Sequence, residues 1–324
     1  SFGTDSQGMQ SGQFIYDVWD PVTGTHNTLS NTTPTDIFCS AAIIIPGTDL
    51  VLIGGGDDRP NGDVNSGVNH ANVFDSTDLS LTPSATGVMN YARWYPTMVS
   101  LPTGQVVIIG GTDGDHQGVG VPDIFTLGEG WRTLDGAADP EIARSALYAR
   151  SCLNGDGEVV SFSACRATDS DFEVRALDPS GNGSLREIGQ LPFSTDWQSP
   201  AIMYEAGKVL IQATNGDLWT MDITGPTPVF SQTESLSQDR NWANMTVLAD
   251  GTVLINGGSV GVNTLTGVDT TAAIWDPVTG TIGYGTDEAL ARLYHSTTVL
   301  LADGTVLSLG GGAPGPLTNT NGEI

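Results

Sequence analysis

Along the chain, short apolar runs alternate with turns rich in glycine, aspartate and proline, and one unit of turn, apolar strand and glycines recurs six times. It reads Pro46-Gly47-Thr48-Asp49-Leu50-Val51-Leu52-Ile53-Gly54-Gly55 at its first occurrence. It returns from Thr103-Gly104 to Gly110-Gly111, Asp156-Gly157 to Phe162, Ala206-Gly207 to Ile211, Asp250-Gly251 to Gly257-Gly258 and Asp303-Gly304 to Gly310-Gly311. Another apolar run precedes each, such as Ala41 to Ile45, Thr97 to Leu101 or Thr297 to Leu301, so each unit opens with a hairpin around an Asp-Gly-like turn. A third strand follows the glycines, as in Asn72-Val73-Phe74-Asp75, Asp123-Ile124-Phe125-Thr126, Leu218-Trp219-Thr220-Met221 and Ala273-Ile274-Trp275-Asp276.

Four short strands at a period of roughly fifty residues are the pattern of a kelch-like β-propeller blade. The heptapeptide Trp-Asp-Pro-Val-Thr-Gly-Thr occurs twice, at Trp19 to Thr25 and Trp275 to Thr281, and the Trp19 strand adds one blade before the six hairpins. The expectation is an all-β, seven-bladed propeller forming one domain over 1–324, with a partial first blade over 1–35 and six further blades over 36–324, the last incomplete. Both ends read as cut within a blade, and a propeller closes its ring to avoid an open edge, so the natural protein is expected to be longer at both ends.

Composition sharpens the picture. Forty-two glycines and seventeen prolines with 15% charged residues suit strands and turns rather than helices. A net charge of -26, from 37 acidic and 11 basic residues, repels nucleic acid and anionic membranes. Lys208 is the only lysine and sits in a strand-like run, which leaves little room for Schiff-base or phosphate-lysine chemistry. No apolar run of about eighteen residues exists to span a membrane. Cys39, Cys152 and Cys165 form neither a disulfide framework nor a zinc pattern. Cys152 and Cys165 fall too far apart along their hairpin to bridge. Acidity and lysine poverty point to a secreted protein, read here without its signal peptide.

In a propeller the first strand of each blade lines the central channel, so residues leading into those strands gather at one mouth. Counting back eight to ten positions from each hairpin glycine gives Cys39, Tyr95, Tyr148, Trp197, Trp242 and the pair Tyr294-His295. An arginine stands two residues ahead of three of them, in Arg93-Trp94-Tyr95, Arg240-Asn241-Trp242 and Arg292-Leu293-Tyr294. Taken singly, the aromatics read as packing, Cys39 as a small buried hydrophobe and His295 as a core imidazole. Together, phenol oxygens and an imidazole nitrogen suit Cu(II), and Tyr294 and His295 can share one ligand only where the backbone is irregular.

At these residues the chain resembles the galactose oxidase and glyoxal oxidase family of radical copper oxidases. The likeness covers essentially the whole chain and is anchored by Asp36-Ile37-Phe38-Cys39, Ala92-Arg93-Trp94-Tyr95 and Arg292-Leu293-Tyr294-His295-Ser296. The resemblance implies a copper site in which Tyr95 is an equatorial ligand joined by a thioether to Cys39, Tyr294 an axial tyrosinate and His295 an equatorial ligand. It implies a second copper histidine from a later all-β domain absent from this chain, since His26, His70 and His116 read as turn residues far from the pattern. Galactose oxidase places a tryptophan after a glycine pair to stack over the linked tyrosine. Here Thr112-Asp113 follows Gly110-Gly111, and Trp197 is the indole at the right height. The expected reaction is oxidation of small aldehydes or simple primary alcohols with reduction of O2 to H2O2, glyoxal-oxidase-like more than galactose-oxidase-like. In it Tyr294 is the proton acceptor, the Tyr95 radical takes a hydrogen atom, and Arg93, Arg150 and Trp94 are substrate-side candidates.

Two other classes stay open. A non-catalytic propeller using an aromatic-lined mouth to bind carbohydrate or protein predicts no metal and an unmodified Cys39. A hydrolase built on Asp57-Asp58 or Asp113-Asp115, and a calcium loop at Asn154 to Glu158, compete with ordinary turn chemistry.

Overall fold

The computed structural model describes residues 15–57, 66–144, 147–162, 173–261 and 263–311. The chain divides into two compact units, Ser1–Gln190 and Leu191–Ile324. The first unit opens with a two-stranded hairpin, β1 (Ile15–Trp19) and β2 (His26–Ser30). Three four-stranded antiparallel meanders follow: β3 (Ala41–Ile44), β4 (Leu50–Gly54), β5 (Ala71–Asp75) and β6 (Ser80–Pro83); β7 (Trp94–Ser100), β8 (Val106–Thr112), β9 (Asp123–Thr126) and β10 (Gly130–Thr133); β11 (Arg150–Leu153), β12 (Val159–Phe162), β13 (Glu173–Asp178) and β14 (Ser184–Gln190). The second unit has two such meanders, β15 (Ala201–Glu205), β16 (Lys208–Gln212), β17 (Leu218–Asp222) and β18 (Val229–Gln232), then β19 (Asn244–Val247), β20 (Val253–Asn256), β21 (Thr271–Trp275) and β22 (Ile282–Asp287). It closes with the hairpin β23 (Ser296–Leu300) and β24 (Val306–Gly310). Helix among the described residues is limited to α1 (Pro140–Arg144) and one short 3-10 turn, Asp135–Ala137.

These meanders are propeller blades, and among the described residues five are complete, not the expected seven. The remaining two units, expected as partial, show two strands each among the described residues. The repeated heptapeptide shows which half the first one is. Asp20 and Asp276 each accept the backbone N–H two residues on, at 2.8 and 2.7 Å, and the N–H of Gly24 and of Gly280 bonds back to Asp20 and Asp276, both at 2.8 Å. Seven identical residues thus make the same turn, and in the second copy that turn joins β21 to β22, the outer pair of a complete blade. The β1–β2 hairpin therefore matches an outer pair, whereas β23–β24 repeats the inner hairpin of the other blades.

In four of the six hairpins, β7–β8, β11–β12, β19–β20 and β23–β24, the turn is one residue longer than a two-residue Asp-Gly turn. In β19–β20 the Leu248 N–H bonds to Thr252 O at 2.8 Å while the Gly251 N–H bonds to Leu248 O at 3.0 Å, and Gly251 has φ +86°. This is a tight turn closed by a left-handed glycine, which matches the twist of the flanking strands. The Asp250 carboxylate holds the next N–H at 3.0 Å.

Cores form between successive blades. Val99, Val107, Ile109, Ile124, Val159 and Leu177 pack the second against the third meander, and Leu210, Leu218, Val253, Ile255 and Trp275 pack the two meanders of the second unit. Cys152 lies in β11 opposite Val160 and carries a free thiol, and burial pushes its pKa up to about 12. Iodoacetamide near neutral pH is therefore expected to leave Cys152 unlabelled in the native protein and to label it after unfolding, because only the thiolate reacts. Rapid native labelling in a peptide map would refute this packing. Cys165, and with it the Cys152–Cys165 register, lies outside the described residues.

Candidate functional site

One backbone feature marks the residue leading into the first strand of nearly every repeat. Cys39, Tyr95, Tyr148, Trp242 and His295 have left-handed φ of 60°, 61°, 50°, 65° and 68°, a conformation uncommon for side chains of this size. Such strain persists only where the surroundings enforce it, and it clusters at functional sites. The enforcing contacts are the glycine pairs. A Cβ on Gly55 would meet Arg93 O at 2.3 Å, and one on Gly310 would meet His295 O at 2.5 Å, so only glycine lets the lead-in segments pass this close.

In the first unit these lead-ins are joined by backbone hydrogen bonds: Tyr95 N–H to Cys39 O at 2.9 Å, and Tyr148 N–H to Tyr95 O at 2.9 Å. Cys39 is held by a turn in which Asp36 accepts the Phe38 N–H at 3.0 Å. Tyr95 is buried, 4% exposed, and both faces of its ring are covered. Trp94 stacks on one at 3.8 Å and 11°, and Tyr148 on the other at 4.3 Å and 23°. Trp94, expected on the substrate side, is thus a stacking partner of Tyr95. Arg93, expected to orient substrate oxygens, is 0% exposed and instead donates to Gly110 O and Val121 O at 2.6 Å and pairs with Asp123 at 3.0 Å. Burial pulls its pKa down and the Asp123 charge pushes it back up, so the guanidinium is a strut of the fold. Arg150 opens β11 opposite Phe162 and is half-buried.

In the second unit Tyr294 and His295 lie ring against ring at 3.8 Å and 27°, although they are consecutive in sequence. The left-handed φ at His295 breaks the alternation of a regular strand and turns both side chains to one side. Trp242 packs on Tyr294 at 4.2 Å, and Trp197 meets Trp242 edge-on at 4.6 Å and Tyr294 at 6.0 Å. Trp197 was expected to stack over Tyr95. Within the first unit the Tyr95 ring is stacked by Trp94 and Tyr148, and within the second Trp197 packs on Trp242 and Tyr294. His295 is exposed, yet the protein around the ring lowers its pKa by desolvation and so favours the neutral imidazole that a metal ion requires.

The structure also refines the register. Trp242 N–H bonds to Gln198 O at 3.2 Å, as Tyr95 N–H bonds to Cys39 O, so Gln198 is the lead-in equivalent and Trp197 stands one residue before it, like Trp94 and Tyr294. Of the remaining histidines, His26 begins β2 rather than a turn and bonds Asp17 at 2.5 Å, and His70 bonds Thr35 at 2.9 Å. Asp113 and Asn154 each accept two backbone N–H groups of their own loops, which is turn chemistry.

Five sequential antiparallel blades with strained aromatic and thiol lead-ins define a β-propeller. The chain is 26% identical over 346 aligned residues to "Galactose oxidase" of Gibberella zeae, a match that takes in 97% of this chain and 48% of the relative. The chain thus spans about half the length of the curated relatives it matches. Among solved structures, a "Novel fungal alcohol oxidase with catalytic diversity among the AA5 family, in complex with copper" aligns with TM-score 0.79 and 20% identity over 99% of this chain and 67% of that one. "Structure of YjhT" aligns with TM-score 0.61 and 13% identity over 88% of this chain and 93% of that one. No family model matches the chain. In sequence the chain is similar to galactose oxidase, and in fold to a copper-bound fungal alcohol oxidase.

Proposed function

We propose that the chain is the propeller of a secreted copper-radical oxidase that oxidises small aldehydes or simple primary alcohols and reduces O2 to H2O2. The observation that supports this most is the pairing of Tyr294 with His295. A strained backbone there stacks a phenol ring on an imidazole whose neutral form is favoured, two potential metal donors on consecutive residues. Copper(II) suits phenolate and imidazole donors; Tyr294 and His295 would hold it, with Tyr95 the ligand that the family resemblance adds. Bound there, copper supplies one of the two electron-accepting equivalents and the centre at which dioxygen is reduced.

The chain's own residues do the rest. Tyr294, fixed by Trp242 on one side and His295 on the other, accepts the substrate hydroxyl proton as a general base. Tyr95, in radical form and joined to Cys39, removes the hydrogen atom from the substrate carbon. Trp94 and Tyr148 exclude water from both faces of its ring and hold it in place. The preference for small substrates rests on the absence of a tryptophan after Gly110-Gly111, where Thr112-Asp113 stands.

The test is the mass of the full-length protein after copper loading. It is expected to be lighter than the sequence mass by the hydrogens lost in joining Cys39 to Tyr95, with the two peptides recovered together and peroxide formed from a small aldehyde or primary alcohol. A copper-loaded protein with separate Cys39 and Tyr95 peptides and no peroxide from either substrate class would leave a non-catalytic binding propeller as the better account.

A further inference from the structure

Three segments of the second unit converge on two carboxylates that make no ion pair. They are the turn 194–199 ahead of β15, the end of β16 with the loop after it, and the loop 236–241 ahead of β19. Thr214 N–H bonds to Ser194 O at 2.9 Å and Leu236 N–H to Gly216 O at 3.0 Å, and a Cβ on Gly216 would sit 3.1 Å from Asp239 N. Asp239 accepts the Gln212 side-chain amide on one oxygen and that of Asn241 on the other, both at 2.9 Å. Asp196 accepts the Gln198 N–H at 2.8 Å and is close enough for its charge to act on Asp239.

The arrangement is short of donors and of positive charge. Gln212 is 1% exposed; its amide nitrogen is spent on Asp239, and its Oε1, on the same amide, has no partner. Gln198 is 9% exposed, and its Oε1 has no partner either. A buried acceptor left unpaired costs about 1–3 kcal/mol, and the Gln212 Oε1 is carried by the same amide that bonds Asp239. Burial first, and the Asp196 charge after it, push Asp239 up to about 6 despite its two amide donors. The neighbouring Arg240 does not help, since its guanidinium turns away to Thr271 O and Asp269 at 2.8 and 2.7 Å.

The geometry points to a binding site for a hard divalent cation of the calcium type, held by the carboxylates of Asp196 and Asp239 and the amide oxygen of Gln212, with Gln198 and water completing the shell. Carboxylate and amide oxygens with water are the ligands calcium takes, in flexible geometry. The cluster offers no imidazole or thiolate, so a soft or borderline metal has nothing to select it. Occupied, the site ties the turn bearing Trp197 to the loop leading to Trp242, and so braces the aromatic cluster around Tyr294 from behind. It is independent of the copper reading.

Terbium luminescence tests it, because Trp197 adjoins Asp196 and can sensitise a lanthanide bound there. The chelator-treated protein is expected to bind terbium saturably at one site, to release it to calcium, and to melt at higher temperature with calcium than without. Asp239→Asn and Asp196→Asn, each close in size to the original, should weaken binding about tenfold or more and abolish the calcium-dependent rise in melting temperature. Gln212→Glu, which keeps the shape and adds a charged ligand, should tighten binding. Asp303→Asn, on an exposed turn, should change nothing and so controls for diffuse attraction to an acidic surface. Terbium binding unchanged in both Asn variants, no tightening in Gln212→Glu, or a melting temperature indifferent to calcium would overturn the site.

Discussion

Replacing Arg93 with methionine is expected to cost about 3–5 kcal/mol of stability, among the largest single losses available in this chain. The guanidinium and its partner Asp123 are both 0% exposed at 3.0 Å, and the same side chain carries two carbonyl oxygens, of Gly110 and Val121. Removing the cation leaves a buried carboxylate and two carbonyls without their donor, and water cannot reach them. Urea unfolding should show the midpoint fall steeply for Arg93→Met. The double variant Arg93→Met with Asp123→Leu should recover part of the loss, because the uncompensated charge goes with it. Arg132→Met, which removes an exposed arginine bonded to Gly181 O and Pro179 O, should stay within about 1 kcal/mol of the parent. Equal effects at Arg93 and Arg132 would show that burial is not what makes Arg93 matter.

Tyr294→Phe in the full-length copper-loaded protein is expected to lower kcat by about a hundred- to ten-thousandfold while leaving the melting temperature nearly unchanged. The ring keeps its packing on Trp242 and His295, at 4.2 and 3.8 Å, and only the half-buried phenol oxygen is lost. A loss confined to KM would instead assign Tyr294 to substrate binding and sink its role as proton acceptor. The same protein separates the two indoles. Trp94→Phe should shift the absorption of the Tyr95 chromophore because the two rings stack at 3.8 Å, and Trp197→Phe should not, because Trp197 packs on Trp242 and Tyr294. A shift on Trp197→Phe alone would reverse the assignment.

Sequence patterning determines the blade in this protein. The hairpins from Pro46, Thr103, Asp156, Ala206, Asp250 and Asp303 are all present, because an apolar run bounded by a left-handed glycine turn has one favourable pairing and a slip of one residue would expose its buried face. Local chemistry also suffices for the heptapeptide turn, whose two copies fold alike. Lead-in residues Cys39, Tyr95, Tyr148, Trp242 and His295 were legible for the same reason, whereas in the Trp197 repeat the structure moves the position to Gln198. Their individual roles were not. Whether Arg93 meets substrate or Asp123 depends on β9, thirty residues away in sequence. Whether Trp94 or Trp197 covers Tyr95 depends on which side of the strand each left-handed residue turns its neighbour. The heptapeptide shared with β21–β22 marks β1–β2 as an outer pair, but only the strand pairing shows that, among the described residues, it and β23–β24 stand as two-stranded sheets. Patterning acts over one turn and one strand pair. Burial, ring stacking and the orphaned amide of Gln212 arise from segments that meet only when the blades pack, and there the tertiary structure alone decides.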